Sequence, residues 1–318
     1  MKKQQEYGTR SKSLSNLMDE GIVRVFHSRQ LDNLQTHIIG KKIYKYDTTG
    51  STNDLAFTHG LQGEKEGAVF WARAQTKGRG RQGRRWVSHK DKGIYFSIIL
   101  KPDILVSEAP KITLLAALSI CKALRKFADG EFLLKWPNDI VVEDKKIGGI
   151  LTEMDVEIGK IRFLIVGLGV NTNFKRSELP AKEATSLRIL LESKGNHISL
   201  PKSDPSPAKA GSGSRKICLK SLPEEQLFLE KEIDNQHILG LCLKEIDSHY
   251  AQFKKDGLSC VINEARHLSS LWGKQVKIND LDEGVAVDFD EEGALIIRQA
   301  NGFLKHIFAG DVQLLKQA

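Results

Sequence analysis

Cysteine is scarce in this chain and spaced for neither metal nor disulfide chemistry. The four residues Cys121, Cys218, Cys242 and Cys260 form no C-x-x-C pair, and the nine histidines contain no H-x-x-x-H spacing. Zinc and a disulfide framework are therefore not expected, and nothing points to haem. Long apolar runs are missing too. The N-terminus carries the lysines of a signal peptide without the apolar stretch that should follow, and no window reaches the roughly 18 apolar residues of a membrane span. The expectation is a cytoplasmic protein with no membrane partner. No aromatic sheet motif for RNA and no recognised DNA-reading helix stands out.

What remains is ordinary globular composition with a basic excess. Of 318 residues, 40% are hydrophobic and 28% charged, with a formal net charge of +8. That length holds one large domain with a small one appended, or two of similar size. The positive balance suggests an acidic partner: nucleic acid, nucleotide or an acidic protein surface.

Part of that charge is concentrated in Gly78-Arg79-Gly80-Arg81-Gln82-Gly83-Arg84-Arg85-Trp86. Glycines let backbone approach a ligand closely, and each guanidinium offers a planar fork of donors for phosphate or carboxylate. The spacing satisfies G-x-G-x-x-G, with Asp103 about twenty residues on, as in a dinucleotide fingerprint. That fingerprint requires a helix after its third glycine. Here a polar stretch leads instead to Gly93–Leu100, whose aromatic and β-branched residues predict a strand. Taken alone, the run reads as an anion-binding loop or a solvated basic loop.

Along the chain, residues 1 to about 20 read as a disordered tail. Ile38–Tyr46 reads as a loop entering the first strand, which Asp47-Thr48-Thr49-Gly50 breaks. Ser51 followed by Asp54 resembles a capping box that opens a helix, whose free N–H groups a ligand could use. A strand over Ala68–Ala74 follows, and apolar residues from Ile112 to Phe127 recur at helical spacing. Short strands surround Lys135-Trp136-Pro137-Asn138-Asp139 and Lys146-Ile147-Gly148-Gly149-Ile150, and their hairpin partner ends at Gly167-Leu168-Gly169-Val170-Asn171. A Pro/Gly/Ser-rich flexible insertion is expected over about 193–230, then a helix through Leu239 and Phe253 ending near Gly257. Four or five short strand patterns in the last fifty residues predict a small β-barrel. The fold class is thus α+β: a mixed, largely antiparallel sheet with helices on one face, plus a small C-terminal β-barrel. Its parts are an N-terminal extension (1–40), a main domain (41–265) and the barrel (268–318).

The basic loop, Ser51-Thr52-Asn53, Lys135–Asp139, Lys146–Ile150 and Gly169-Val170-Asn171 occur in one order and spacing, and together they resemble a biotin protein ligase. The resemblance covers about residues 40–192 and 235–318. It implies a two-step reaction: biotin and ATP, with Mg²⁺, give biotinyl-5′-adenylate and pyrophosphate, and a carrier-domain lysine then takes the biotinyl group. It further implies that Lys146 bridges the biotin carboxylate and the α-phosphate, with Arg79, Arg81 and Arg84 clamping the adenylate. Ser51, Thr52, Asn53 and Gln75 would meet the biotin ring, with Gly78, Gly80, Gly148 and Gly149 giving it room and Trp86 covering it. Lys135, Asn138 and Asn171 would attend the nucleotide. Asp139 is the candidate to deprotonate the acceptor lysine, a metal-contacting or orienting role being equally readable.

The implied partner is the carrier protein or domain of a biotin-dependent carboxylase. A homodimer through edge strands occurs in the family, and the sequence does not choose between monomer and dimer. Some members carry an N-terminal helix-turn-helix; about forty residues without two helical patterns precede the catalytic fold here, so no operator binding is expected. The rivals are a lipoate or octanoate ligase of the same superfamily and, from a different class, a basic nucleic-acid-binding protein.

Overall fold

The computed structural model describes residues 23–26, 31, 34–194, 232–257 and 259–315. The tail expected over residues 1–20 and nearly all of the insertion expected over 193–230 lie outside those residues. Eight strands form one sheet: β1 (Val23–Phe26), β2 (Ile43–Thr49), β3 (Val69–Gln75), β4 (Gly93–Leu100), β5 (Leu133–Lys135), β6 (Asp139–Val142), β7 (Lys145–Glu157) and β8 (Lys160–Asn171). Their spatial order is β1-β2-β3-β4-β8-β7-β6-β5. All neighbours run antiparallel except β2 and β3. A parallel pair needs a crossover, and helix α1 (Thr52–Leu61) supplies it.

That crossover corrects the expectation of helices on one face. Side chains alternate across a strand, so Ile94, Phe96, Ile98 and Leu100 of β4 enter the large core beneath α2 (Ala109–Phe127) and α4 (Asn235–Asp256). Ile99 points the other way, into a second cluster with Tyr44, Tyr46, Phe70, Phe163 and Ile165, closed by Ala56 of α1. Two shorter helices, α3 (Leu187–Ser193) and α5 (Ser259–His267), complete the α-helices among the described residues. At its start α4 is capped by the Asp234 side chain, which accepts from Gln236 N at 2.8 Å. It stops at Gly257, whose φ of 74° is left-handed and favours glycine.

Other local readings need correction. Strand β2 runs on through Asp47 and Thr48 to Thr49, because pairing with β3 extends to Thr49↔Gln75. Described residues ahead of 41 also pack onto the fold. Strand β1 pairs with β2, Leu31, Leu34 and Ile39 are core residues, and the Asp247 carboxylate of α4 accepts from the backbone N–H groups of His37, Ile38 and Ile39 at 2.6, 2.7 and 2.7 Å.

The C-terminal strands β9 (Gln275–Ile278), β10 (Asp282–Phe289), β11 (Leu295–Arg298), β12 (Leu304–Ile307) and β13 (Val312–Leu314) form an antiparallel sheet in the order β12-β11-β10-β9-β13. Among the described residues β12 and β13 are its two edges, so it is an open sheet rather than a closed barrel. It is held to the main sheet by Trp136, whose buried indole N–H donates to Gly293 O at 3.1 Å. Arg266–Asp288 at 2.9 Å and Lys111–Glu292 at 2.5 Å add ion pairs, and Val276, Ile278 and Phe289 continue the main core.

Behind α1, burial pushes the Glu64 carboxyl upward, but hydrogen bonds from Lys42 and Tyr44 outweigh it and hold the group at about 2, against an ordinary 4.5. A depressed carboxylate adds stability above its unfolded value and loses it as pH falls through its folded value. Glu64→Gln should therefore flatten the fall in unfolding free energy between about pH 4.5 and 2. Urea titrations across that window would show an unchanged slope if the assignment is wrong.

Candidate active site

On the face that α2 and α4 leave free, beyond the aromatic cluster under α1, the sheet carries glycines where β7 and β8 meet. Register places Asp139, Gly149 and Gly169 side by side across β6, β7 and β8, with Gly167 two residues along. Each glycine makes room for a neighbour to lie flat. A Cβ on Gly167 would fall 1.8 Å from Asn53 Oδ1, one on Gly169 2.6 Å from the Trp86 indole, and one on Gly149 3.3 Å from Lys146 Cε.

Lysine 146 reaches this floor through a bulge. Pairing of β6 with β7 shifts from Ile140↔Gly148 to Val141↔Lys146. That one-residue shift reverses the alternation and turns Lys146 onto the face of Asp139 and Gly149. Its Nζ then lies 2.6 Å from Asp139 Oδ1 and 5.5 Å from the Trp86 ring centroid. Its backbone is fixed by Lys146 N→Glu183 O at 2.7 Å and Thr185 N→Lys146 O at 2.8 Å.

The Gly/Arg run is a folded hairpin rather than an open loop. Trp86 N donates to Gly78 O at 2.9 Å, Gly80 N to Arg84 O at 2.6 Å, and Arg79 bridges Arg85. The tip turns on Gln82 and Gly83, at φ 53° and 73°. No helix follows Gly83, which excludes the dinucleotide fingerprint. Tip residue Arg81 donates to Asn138 Oδ1 at 2.9 Å and stands 3.7 Å from Asp311, at the start of β13. Arg84 pairs with the same Asp311 carboxylate.

Helix α1 begins at Thr52, and Ser51 occupies the N-cap position without a side-chain cap bond. The expected capping box is absent because Asp54 Oδ1 instead accepts from Arg79 at 2.5 Å. Gln75 accepts from Thr52 N at 2.8 Å and donates to Ser88 Oγ at 3.0 Å, joining the helix start to the hairpin's return limb.

These elements enclose a cleft of about 460 Å³, within the usual range for small-molecule sites. Of the residues singled out in the sequence, Ser51, Thr52, Asn53, Gln75, Arg79, Gly80, Arg81, Arg84, Trp86, Lys135, Asn138, Asp139, Lys146, Gly149 and Asn171 line it. Gly78 and Gly148 do not. A Cβ on Gly78 would meet Trp86 O at 2.5 Å, and one on Gly148 would meet Ile140 and Val170, so both serve close packing. Asn53 reaches the wall with its polar atoms occupied: Nδ2 donates to Leu151 O and Glu153 Oε2 at 3.2 and 2.8 Å, and Oδ1 accepts from Ser97 Oγ at 2.6 Å. It is a strut rather than a ring contact.

Charge is unevenly balanced along the cleft. Arg79 faces two carboxylates, Asp54 and Glu153, whereas Arg81 and Arg84 share Asp311. Burial, together with the charge of Arg84, lowers the pKa of Arg81 although Asp139 opposes this. Burial also lowers that of Lys135, with Lys146 adding to the shift. Five cations of the cleft lining, Arg81, Arg84, Arg85, Lys135 and Lys146, thus stand against Asp139 and Asp311. The buried indole N–H of Trp86 has no partner among the described residues. Sequence reasoning missed Asp311, Glu153 and Ser97. The first lies more than two hundred residues from the loop, and a lone acid or serine in a strand carries no motif.

The biotin/lipoate A/B protein ligase family matches residues 46–171, and the biotin protein ligase C-terminal domain matches residues 272–315. The bifunctional ligase/repressor BirA of Bacillus subtilis is 29% identical over 284 residues, covering 88% of this chain and 76% of that protein. The biotin--[acetyl-CoA-carboxylase] ligase of Mycobacterium tuberculosis is 33% identical over 144 residues, covering 44% of this chain and 52% of its own length. Among solved structures, the biotin protein ligase from Aquifex aeolicus in complex with biotin and ATP superposes with a TM-score of 0.62 at 26% identity, covering 86% of this chain and 99% of that one. With the catalytic part and the C-terminal part each matched in place, and the lysine, tryptophan and arginine hairpin gathered over one glycine floor, this chain belongs to the biotin protein ligase family.

Proposed function

We propose that the chain joins biotin to a carrier-domain lysine in two steps within this one cleft. The observation that carries the reading is the surplus of fixed positive charge around Lys146, at the foot of a glycine-floored slot. In the first step a biotin carboxylate oxygen attacks the α-phosphate of ATP, the α–β phosphoanhydride bond breaks, and pyrophosphate leaves. Two anions must meet, so fixed cations lower the barrier most if they face the oxygens where charge develops. Lys146, held by its bulge, would bridge the two reactants. Arg81 and Arg84 share a single carboxylate, and with Arg85 they are the cleft-lining arginines that would have charge to offer phosphate.

Magnesium enters as the counter-ion of the nucleotide. Among the described residues no three His, Cys, Asp or Glu side chains cluster as a metal site. Asp139 already holds Lys146 at 2.6 Å. The protein side of the cleft is thus built for anions rather than for a resident metal, and no step is assigned to one.

In the second step the ε-amine of the acceptor lysine attacks the acyl carbon, AMP leaves, and one proton is lost. Asp139 Oδ1 is engaged by Lys146 Nζ at 2.6 Å, so its carboxylate would orient Lys146 rather than take that proton. Biotin's ureido ring would lie toward Ser51, Thr52 and Gln75, where burial demands matched hydrogen bonds. The hairpin and Trp86 form a roof that keeps water from the mixed anhydride. The acceptor would be the carrier domain of a biotin-dependent carboxylase, met in the cytoplasm; no described helix is long and apolar enough to cross a membrane.

The decisive assay incubates the chain with MgATP, biotin and a carrier domain, with lipoate or octanoate in parallel, and weighs the carrier. A gain of one biotinyl group is expected, and a gain only with lipoate would move the chain to the sister ligases. Lys146→Ala should slow pyrophosphate release roughly 10²–10³-fold, the usual loss for one charge-stabilising group; a near-normal rate would refute its role. Gly169→Ala should displace Trp86 and cost up to about 10²-fold in turnover while the melting temperature stays close to that of the parent. Full activity in that variant would mean the tryptophan does not need the floor.

A further inference from the structure

Arg79 belongs to the same Gly/Arg run as Arg81 and Arg84, yet its surroundings differ in kind. Its Nη1 lies 2.5 Å from Asp54 Oδ1, and its Nη2 lies 3.0 and 3.3 Å from Glu153 Oε2 and Oε1. Asp54 sits in the first turn of α1 and Glu153 midway along β7, so one guanidinium ties hairpin, helix and sheet together. Glu153 is itself held by Asn53 Nδ2 at 2.8 Å, and Asn53 is pressed onto Gly167. The backbone of Arg79 bridges Arg85, which joins both limbs of the hairpin just below its tip. Despite burial, the Asp54 hydrogen bond and the Glu153 charge raise the pKa of Arg79, whereas burial lowers that of Arg81. One arginine is neutralised within the protein; the other is short of negative charge.

We propose that Arg79 is an anchor rather than an anion ligand, and that Asp54 and Glu153 are positioning residues which, through it, set where Arg81 and Arg84 stand over the nucleotide. The proposal rests on the ligase reading, and it reverses the role that the resemblance implied for Arg79. It makes a distinctive demand. If Arg79 bound phosphate, Glu153 would compete with the nucleotide, and removing its charge would tighten ATP binding. If Arg79 is an anchor, removing either partner loosens the same joint.

The test uses the full chain with Glu153→Gln, Asp54→Asn, Arg79→Ala, Arg79→Lys and the Glu153→Gln/Arg79→Ala double variant. Pyrophosphate release with biotin gives KM for ATP, and trypsin cleavage after Arg84 and Arg85 in ligand-free protein reports hairpin order. An anchor predicts that Glu153→Gln and Arg79→Ala each raise KM by about threefold or more, that the double variant falls short of the product, and that Arg79→Lys recovers much of the loss. Hairpin cleavage should quicken in Glu153→Gln and Asp54→Asn at an unchanged melting temperature. A lower or unchanged KM in Glu153→Gln beside a raised one in Arg79→Ala would overturn the proposal, as would unaltered cleavage in both carboxylate variants. If the parent chain released no pyrophosphate, the ligase reading would fail, and the cleavage comparison, which needs no ligand, would still decide whether Arg79 anchors the hairpin.

Discussion

The site depends on the absence of three Cβ atoms from two neighbouring strands. Asn53 and Trp86 lie where a side chain on Gly167 or Gly169 would otherwise stand, and the end of Lys146 packs closely over Gly149. Elsewhere β8 is packed on both faces, by α2 on one side and by α1 on the other. The glycines open a hollow where α1 ends its cover, and the bulge at the start of β7 sends a lysine into it. Because the sheet beneath is fully hydrogen-bonded, the hollow has a rigid floor, and charge can be held there without the reorganisation that a loop-built site would require.

Electrostatics then divides the cleft. Near α1, carboxylates outnumber cations, and the donors of Arg79 and Asn53 are engaged within the protein. Near β6 and β13, cations outnumber carboxylates, and burial disfavours the charge of Arg81 and Lys135. An anion entering at that end relieves a cost the protein already carries. The neutral ring of biotin suits the first end and the phosphates suit the second, which gives the reactants an orientation before any closure of the roof.

Much of this was legible in the sequence, for reasons that differ by element. Helix α2 is legible from its helical periodicity and strand β4 from its aromatic and β-branched residues, each to within a residue or two. The lysine, the arginine run and Trp86 were found as motifs, because a short segment carries each. The capping box at Ser51 was misread since Asp54 has a distant partner in Arg79, and tertiary pairing outcompeted the local bond. Gly78 and Gly148 stand beside motif neighbours, but a hairpin's closure and a strand's alternation turn them toward packing, and the side chain of Asn53, in the first turn of α1, is taken up by Leu151, Glu153 and Ser97. Asp311 could not be found from sequence, since the fold alone brings β13 beside a hairpin more than two hundred residues earlier.

The contact of Gly310 and Asp311 with Arg81 and Arg84 makes the cleft a joint product of two sheets. Neither sheet encloses the ligand alone, so the docking of one on the other is itself a variable of the chemistry. Substitutions that leave the arginines and Lys146 untouched, in the Trp136–Gly293 contact at the cleft wall or around Arg266 farther off, would act as changes in ligand affinity before they registered as loss of fold. A ligand drawing on Arg81 would in turn alter the grip between the sheets, so the rigidity of the joint would report on occupancy.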